Sequence, residues 1–165
     1  MSRYCVVVAE GSKARFFTVE HPEVPELESG PDLIERKTMA NPIHQAHREE
    51  ILAELRAGRN RTPNGSAHGY DDHRDGYDAE CERRFAREIA QELDAMARSN
   101  GTRRVVLCAE KRMLGFLRPN LHNAIPNGVD LHEVPKDLAK LTPRKLQERL
   151  ANDGHIPKRR GRRRH

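Results

Sequence analysis

The stretch AECERRFAREIAQELDAMARSNGTRRVVLCA, residues 79–109, decides the fold. Its first part places large apolar side chains three or four positions apart, which is the spacing of one face of an α-helix. These positions are Cys81, Phe85, Ile89, Leu93 and Met96. The pattern predicts an amphipathic helix over Ala79–Arg98, and the pair Asn100-Gly101 that follows is typical of a helix C-cap.

The run VVLCA that follows this helix, Val105–Ala109, is apolar at every position and has the length of a strand. Such a run suits a central parallel strand that is covered on both faces. A similar run, RYCVVVA at Arg3–Ala9, is rich in β-branched residues and predicts another buried strand. After a turn at residues 10–13, the segment ARFFTV at Ala14–Val19 should pair with that strand as a hairpin.

The remaining elements are predicted from shorter patterns. Thr142-Pro143 supplies an N-cap and a proline at the first position of a helix that should run to Ala151. The residue types and apolar patterns also predict an edge strand at Asp32–Met39, a helix at Ile43–Ala57, a short helix at Lys111–Arg118 that Pro119 should end, and a last strand at Val129–Val134.

The order of elements is three antiparallel strands, helices, strand, helix, strand, helix. This order predicts an α/β fold with a ribonuclease-H-like mixed sheet, in which three antiparallel strands are followed by parallel strands and helices cover both faces. The length of 165 residues fits one domain, which we place at 1–154. Residues 58–78 are nearly devoid of apolar side chains and predict a mobile loop, and residues 155–165 predict a disordered basic tail.

The opening apolar run is too short for a secretory signal, and no stretch approaches the roughly 20 apolar residues of a membrane span. We therefore expect a cytoplasmic protein. Cys5, Cys81 and Cys108 are odd in number, widely spaced and set among apolar residues, which indicates buried thiols and not a disulfide framework.

Charge is concentrated at one end of the chain. The formal net charge is +5, yet six of the 30 Lys and Arg residues fall within residues 158–165, which leaves 24 basic against 25 acidic side chains elsewhere. The six are Lys158, Arg159, Arg160, Arg162, Arg163 and Arg164. Mobile guanidinium groups suit phosphates, so we expect contact with RNA or the ribosome, with an anionic membrane surface or a merely solubilising role as the alternatives.

Three segments resemble the bacterial host-attachment protein family. They are VVVAEGSKARFF at Val6–Phe17, the stretch from FAREIAQEL to KRMLGFLR at Phe85–Arg118, and EVPKDLAKLTPRKLQERL at Glu133–Leu150. The last is the most specific, because VPKDL followed by Thr142-Pro143 is not demanded by a generic strand and helix.

The resemblance implies a fold related to the middle domain of archaeo-eukaryotic peptide release factors, with a ribonuclease-H-like topology and a ribosome or RNA setting. That domain works through a Gly-Gly-Gln loop. No two glycines are adjacent in this sequence, so peptide release is not expected and no catalytic residue is carried over. The family name describes a phenotype and does not specify a chemistry.

Two acidic residues follow predicted neighbouring strands, Glu10 after the first strand and Glu110 after the first parallel strand. Together with Glu80 or Glu82 they could hold Mg²⁺ for phosphodiester hydrolysis. Acids also occupy the ends of strands for solubility. Nucleases of this fold place one carboxylate within the first strand, where this sequence has only Val6–Val8.

His44 and His47 are three positions apart, and the predicted loop holds His68, Asp71, Asp72 and His73. Imidazole and carboxylate at such spacings can bind Zn²⁺ or Mn²⁺, although polar loops collect these residues with no ligand at all. We expect no cofactor.

A second basic patch is predicted at Lys111, Arg112, Phe116 and Arg118, where a base could stack on Phe116 while the cations contact phosphate. The same spacing also fits the buried face of a short helix. The sequence thus favours a non-enzymatic RNA- or ribosome-associated module. A metal-dependent nuclease and a protein-interaction or regulatory module in host association remain the alternatives.

Overall fold

The computed structural model describes residues 3–42 and 67–161 of the chain. Within these residues five strands and three helices follow one another in the predicted order. The strands are β1 (Tyr4–Ala9), β2 (Lys13–Glu20), β3 (Asp32–Ala40), β4 (Arg104–Ala109) and β5 (Asp130–Val134), and the helices are α1 (Ala67–Ser99), α2 (Lys111–Ala124) and α3 (Pro143–Asn152). The helix predicted over Ile43–Ala57 lies outside the described residues.

The five strands form one mixed sheet in the order β3-β2-β1-β4-β5. β1 pairs antiparallel with β2, and β2 pairs antiparallel with β3. β4 lies parallel to β1 on its other side, and β5 lies parallel to β4. The predicted mixture of three antiparallel strands followed by parallel strands is therefore confirmed for the part of the chain that the structure describes.

Helices pack on both faces of the sheet, because successive side chains of a strand point to opposite sides. Val7 and Leu107 belong to the cluster that contains Phe85 of α1 and Leu117 of α2. The alternate strand residues, among them Val6, Val8, Val106 and Cys108, pack with Leu146 and Leu150 of α3. The central strands are thus covered from both sides, as their continuous apolar sequences indicate.

Helix α1 starts earlier than the sequence predicts. It begins at Ala67, so the prediction of a loop over residues 58–78 is wrong for residues 67–78. Extending a helix adds one hydrogen bond for each residue that is fixed, whereas starting one is costly, and the packed part of α1 provides the start. Although α1 has 33 residues, no helix of the described residues is long and apolar enough to cross a membrane.

Helix α2 continues through Pro119 to Ala124, so the prediction that proline ends it is wrong. Pro119 lacks the N–H that would donate to the Gly115 carbonyl, a loss of about 3 kcal/mol in an ordinary helix interior. Leu121 and Ala124 lie beyond the proline and are both buried. Their packing offsets the missing hydrogen bond, which a local sequence rule does not take into account.

Two helix ends, the end of α1 and the start of α3, follow the sequence signals. Gly101 after α1 has φ of 61°, the left-handed conformation that a glycine C-cap requires. At the start of α3, the Thr142 hydroxyl accepts a hydrogen bond from the Lys145 amide at 3.3 Å. The predicted caps of both helices are confirmed.

Residues 155–161 are packed on the folded domain, so the prediction of a disordered tail over 155–165 is wrong for this part. Ile156 is only 5% exposed and packs with the apolar cluster beneath α3. Arg160 pairs with Gly30 as an isolated antiparallel bridge. One buried apolar side chain anchors a segment whose composition alone indicates disorder.

Candidate functional site

The carboxyl ends of β1 and β4 bring Glu10 and Glu110 to the same edge of the sheet. The parallel register pairs Ala9 with Ala109, so the residue after each strand lies next to its counterpart. Glu110 is exposed at the N-cap position of α2 and makes no capping hydrogen bond with its side chain. Glu10 is half-buried and accepts a hydrogen bond from the Ser12 hydroxyl. The predicted proximity of these two strand ends is therefore observed.

The other acidic residues proposed for this edge are engaged by arginines. Arg112 donates from Nε to Glu82 at 3.1 Å, and the Glu82 side chain is only 13% exposed. Glu80 pairs with Arg83 and Arg84 at 3.5 and 3.7 Å. Among the described residues, no group of three or more His, Cys, Asp or Glu side chains could hold a metal ion. The edge thus places Glu10 and Glu110 at the ends of two neighbouring strands, beside a set of ion pairs.

The predicted histidine and aspartate sites are placed differently by the structure. His44 and His47 lie outside the described residues. His68, Asp71, Asp72 and His73 belong to the first turns of α1 and do not lie in a loop.

Sequence reasoning missed a second pair of histidines. The ring centroids of His132 in β5 and His155 after α3 are 4.6 Å apart. Burial lowers the pKa of His155, and the neighbouring His132 lowers it further. No spacing rule could indicate this pair, because the two residues meet only through the packing of the segment after α3 on the sheet.

The second predicted basic patch is partly occupied by contacts within the protein. The guanidinium carbons of Arg83 and Arg112 lie 5.4 and 5.8 Å from the centroid of the Phe116 ring, which is the range of a cation–π interaction. Arg118 forms a fork with Glu133 through Nε and Nη2, at 2.9 to 3.2 Å, and Glu133 raises the pKa of Arg118. Lys111 is exposed at the start of α2. A base that stacked on Phe116 would compete with arginines already there.

The basic segment, residues 158–165, begins at a fixed place beside β3. The Arg160 amide donates to the Gly30 carbonyl at 2.8 Å, and the Gly30 amide donates to the Arg160 carbonyl at 3.1 Å. A Cβ atom on residue 30 would lie 2.7 Å from Cδ of Pro22, so glycine permits the local packing. The backbone of the basic segment is therefore attached to the loop that precedes β3.

Arg159 adds side-chain contacts at the same place. Its Nε donates to Asp32 Oδ1 at 2.9 Å, and its Nη2 donates to the Ser29 hydroxyl at 2.8 Å. The two charged side chains are 46% and 49% exposed, and ion pairs of that kind stabilise a fold by about 1 kcal/mol at most. Lys158 and Arg160 are exposed. Arg162, Arg163 and Arg164 lie outside the described residues.

The loop that receives Arg159 and Arg160 is strongly acidic. We call residues 20–32 the acidic segment, because they contain five Asp or Glu residues and no Lys or Arg. They are Glu20, Glu23, Glu26, Glu28 and Asp32. The opposite charges of the two segments are visible in the sequence, but charge alone does not specify contact between parts of the chain more than one hundred residues apart.

The three cysteines all lie in the core. Cys5, Cys81 and Cys108 are buried and no disulfide joins them, which confirms the prediction of buried thiols. Burial raises the pKa of Cys5 and of Cys108 to about 12. Neither thiol can serve as a nucleophile near neutral pH.

The family model described as "Protein required for attachment to host cells" matches residues 5–150. The chain belongs to this family, since the match covers the five strands except for Tyr4, helices α1 and α2, most of α3 and the acidic segment. The matched range ends before the basic segment. No curated protein matches the sequence at a significant level.

Proposed function

We propose that this host-attachment family protein is a non-enzymatic, cytoplasmic module that associates with RNA or the ribosome through the basic segment. The concentration of six Lys and Arg side chains within eight residues carries the proposal. The rest of the chain has a net charge of −1, so attraction for a phosphate polymer comes from this segment. Ile156, which is 5% exposed, attaches the chain to the folded domain just before the basic segment.

The topology of the sheet supports the proposed association with RNA or the ribosome. An order of β3-β2-β1-β4-β5, with β1 antiparallel to β2 and parallel to β4, is the arrangement expected of a ribonuclease-H-like sheet. The resemblance to the middle domain of peptide release factors implies that fold and a ribosomal partner. Because the chain has no pair of adjacent glycines to form a Gly-Gly-Gln loop, the proposal does not include peptide release.

The patch at Lys111, Arg112 and Phe116 is a secondary contact in this proposal. Lys111 and Arg112 are exposed at the start of α2, beside the end of β4, where they could approach a phosphate backbone. Arg112 and Arg118 contribute less than Lys111, since Glu82 and Glu133 already accept hydrogen bonds from them.

The test is binding of a fluorescent single-stranded RNA to the full chain at several salt concentrations, together with co-sedimentation with ribosomes. In the first variant, all six basic residues of the basic segment become Gln. A matched control loses six exposed positive charges elsewhere: Arg3→Gln, Arg87→Gln, Arg103→Gln, Lys140→Gln, Arg144→Gln and Lys145→Gln. Both variants carry the same net charge. A difference in RNA or ribosome binding between them therefore shows that the position of the cations matters.

We expect the first variant to lose nearly all RNA and ribosome binding and the control variant to retain most of it. If all six cations of the basic segment neutralised phosphates, log K would fall with log salt with a slope of about −4. Equal losses in the two variants would contradict the assignment to the basic segment. Binding to anionic vesicles but not to RNA would identify a membrane surface as the partner.

A metal-dependent nuclease is the second candidate, and the adjacency of Glu10 and Glu110 is the observation that favours it. Its test is incubation of labelled RNA and DNA with the protein and Mg²⁺ or Mn²⁺. We expect intact nucleic acid, because Arg112 engages Glu82 and no group of three or more His, Cys, Asp or Glu side chains within the described residues could hold a metal ion. Cleavage that Glu110→Ala abolishes would establish the nuclease instead.

A protein-interaction module in host association is the remaining candidate. Val24, Leu27 and Ile34 are exposed at 42%, 57% and 37%, and they lie in or beside the acidic segment. A co-purifying protein that is retained after nuclease treatment and lost in Leu27→Ser would favour that role over RNA binding.

A further inference from the structure

We propose that the acidic segment holds Arg159 and Arg160, at the start of the basic segment, in the unbound protein and competes with RNA for these two arginines. The proposal rests on the proposed function for the identity of the polymer. It adds a regulatory contact: an intramolecular acidic surface that RNA has to displace before Arg159 and Arg160 can bind phosphate.

The first support is the pairing of opposite charges at one place in the fold. The acidic segment carries five negative charges and no Lys or Arg, and the basic segment carries six positive charges. The structure joins them through two backbone hydrogen bonds between Gly30 and Arg160 and through the contacts of Arg159. These contacts place the start of the basic segment, at Arg159 and Arg160, against the acidic segment.

The second support is the set of donors that the contact occupies. Arg159 uses Nε and Nη2, the edge of the guanidinium that forms bidentate contacts with carboxylate or phosphate. Asp32 and Ser29 accept the two hydrogen bonds that two oxygen atoms of a phosphate would otherwise accept. The same edge cannot bind both partners, so contact with RNA through this edge requires the release of Asp32.

The third support is the difference in burial along residues 156–160. Ile156 is 5% exposed within the core cluster and keeps the segment attached to the domain. Beyond it, Lys158, Arg159 and Arg160 are exposed, and the ion pair of Arg159 with Asp32 is about half exposed. Release of residues 158–160 from the acidic segment breaks polar contacts that water can replace, and it exposes little apolar surface. The contact can therefore open while the domain stays folded.

The test compares the full chain with Asp32→Asn, which keeps the shape of the side chain and removes its charge. Glu88→Gln is the matched control, because Glu88 is exposed on α1 and the substitution changes the net charge equally. We expect Asp32→Asn to bind single-stranded RNA at low salt about two- to five-fold more tightly than Glu88→Gln. That factor corresponds to the strength of an exposed ion pair.

Hydrogen exchange of the Gly30 and Arg160 amides provides a readout that does not depend on affinity. Both amides donate hydrogen bonds in the closed contact, so they should exchange slowly in the unbound protein. We expect faster exchange at both positions in Asp32→Asn, and also in the wild-type protein when RNA is added. Exchange in the buried strand β1 should stay unchanged, which shows that the domain itself does not unfold.

The outcomes separate this proposal from the proposed function. If the wild-type protein binds RNA, but Asp32→Asn and Glu88→Gln bind equally well and RNA leaves both amides protected, the competition is overturned while RNA binding stands. If no variant binds RNA, but Asp32→Asn binds anionic vesicles more tightly than Glu88→Gln and vesicles expose both amides, the function has to be changed from RNA to membrane. The intramolecular competition would then stand.

Discussion

The centre of the sheet and its β3 edge are built from different residues and differ in their exposure to solvent. In the central strands, every residue of Cys5–Ala9 and Val105–Ala109 is fully buried. In β3 most residues are exposed, and the acidic segment that precedes it is exposed over most of its length. The centre has no polar side chain that could bind a ligand, whereas the edge contains the contact between the two charged segments.

This difference indicates that the buried centre of the sheet contributes most of the folding free energy and the exposed side chains of the edge contribute little. Apolar burial of about 25 cal/mol per Å² makes the central strands the main source of folding free energy. Exposed ion pairs such as Arg159 with Asp32 contribute little to it. Substitutions of exposed side chains at the edge can therefore change its charge while the fold is retained.

The largest expected effect is on the reactivity of the central thiols. A pKa of about 12 for Cys5 and Cys108 lies three units above the ordinary value of 9.0 and lowers the thiolate population about a thousandfold. At pH 7.5 we expect maleimide labelling of these two residues to be slower than that of a small thiol by at least that factor. Peptide mass spectrometry measures the rate at each site.

Labelling of all three cysteines in denaturant is the control for reagent quality. Rapid labelling of Cys5 or Cys108 in the native protein would show that the central strands open readily. The two regions would then not differ in stability as the burial indicates.

The second prediction compares a central leucine with one in the acidic segment. Leu107 is fully buried in β4, and Leu27 is 57% exposed. We expect Leu107→Ala to lower the free energy of unfolding by about 2 to 5 kcal/mol. Leu27→Ala should change it by no more than about 0.5 kcal/mol. Urea denaturation followed by circular dichroism measures both free energies of unfolding. Similar losses for the two variants would show that the centre and the acidic segment contribute equally to stability.

The third prediction concerns a side chain that joins the edge to a helix. Gln147 of α3 is 7% exposed; its Nε2 donates to the Pro31 carbonyl at 2.6 Å, and its Oε1 accepts from the Leu33 amide at 3.3 Å. Gln147→Ala leaves two buried backbone groups without these partners, so we expect a loss of about 1 to 3 kcal/mol. Gln91→Ala, at an exposed position of α1, is the control and should have little effect on the same denaturation curve.

The sequence predicted the centre better than the edge, for a physical reason. A continuous apolar run such as Val105–Ala109 has few alternatives to a strand covered on both faces, and the spacing in Ala79–Arg98 has few alternatives to a helix. The extra turns of α1 and the passage of α2 through Pro119 depend on packing or on extension of an existing helix, which local rules do not describe.

The candidate site could be predicted only in part. The adjacency of Glu10 and Glu110 follows from two parallel strands, and the clustered charge of residues 158–165 is visible from counting. The engagement of Glu82 by Arg112 and of Asp32 by Arg159 joins residues far apart in the chain. Such pairs depend on the final geometry, because exposed cations have many acidic residues available to them.

The smallest expected effect is a dependence of stability on pH at β3. Arg15 donates to Glu35 from Nε at 2.8 Å and from Nη2 at 3.0 Å, and this hydrogen bonding lowers the pKa of Glu35 although burial opposes it. The folded state therefore favours the ionised carboxylate. Its contribution is present above the pKa of the unfolded side chain, about 4.3, and is lost as the pH falls through the lower folded value.

We expect wild-type protein to be more stable than Glu35→Gln at pH 7, with a difference that is constant down to about pH 5 and then shrinks with further acidification. Urea denaturation at pH steps from 7 to 3 measures this difference, and Glu88→Gln accounts for the removal of one negative charge from the surface. A difference that stays constant down to pH 3 would mean that ionised Glu35 is not stabilised by Arg15. The contacts of Arg15 with the Ala139 and Leu141 carbonyls, at 3.1 and 2.6 Å, would then account for its position between the sheet and the segment that precedes α3.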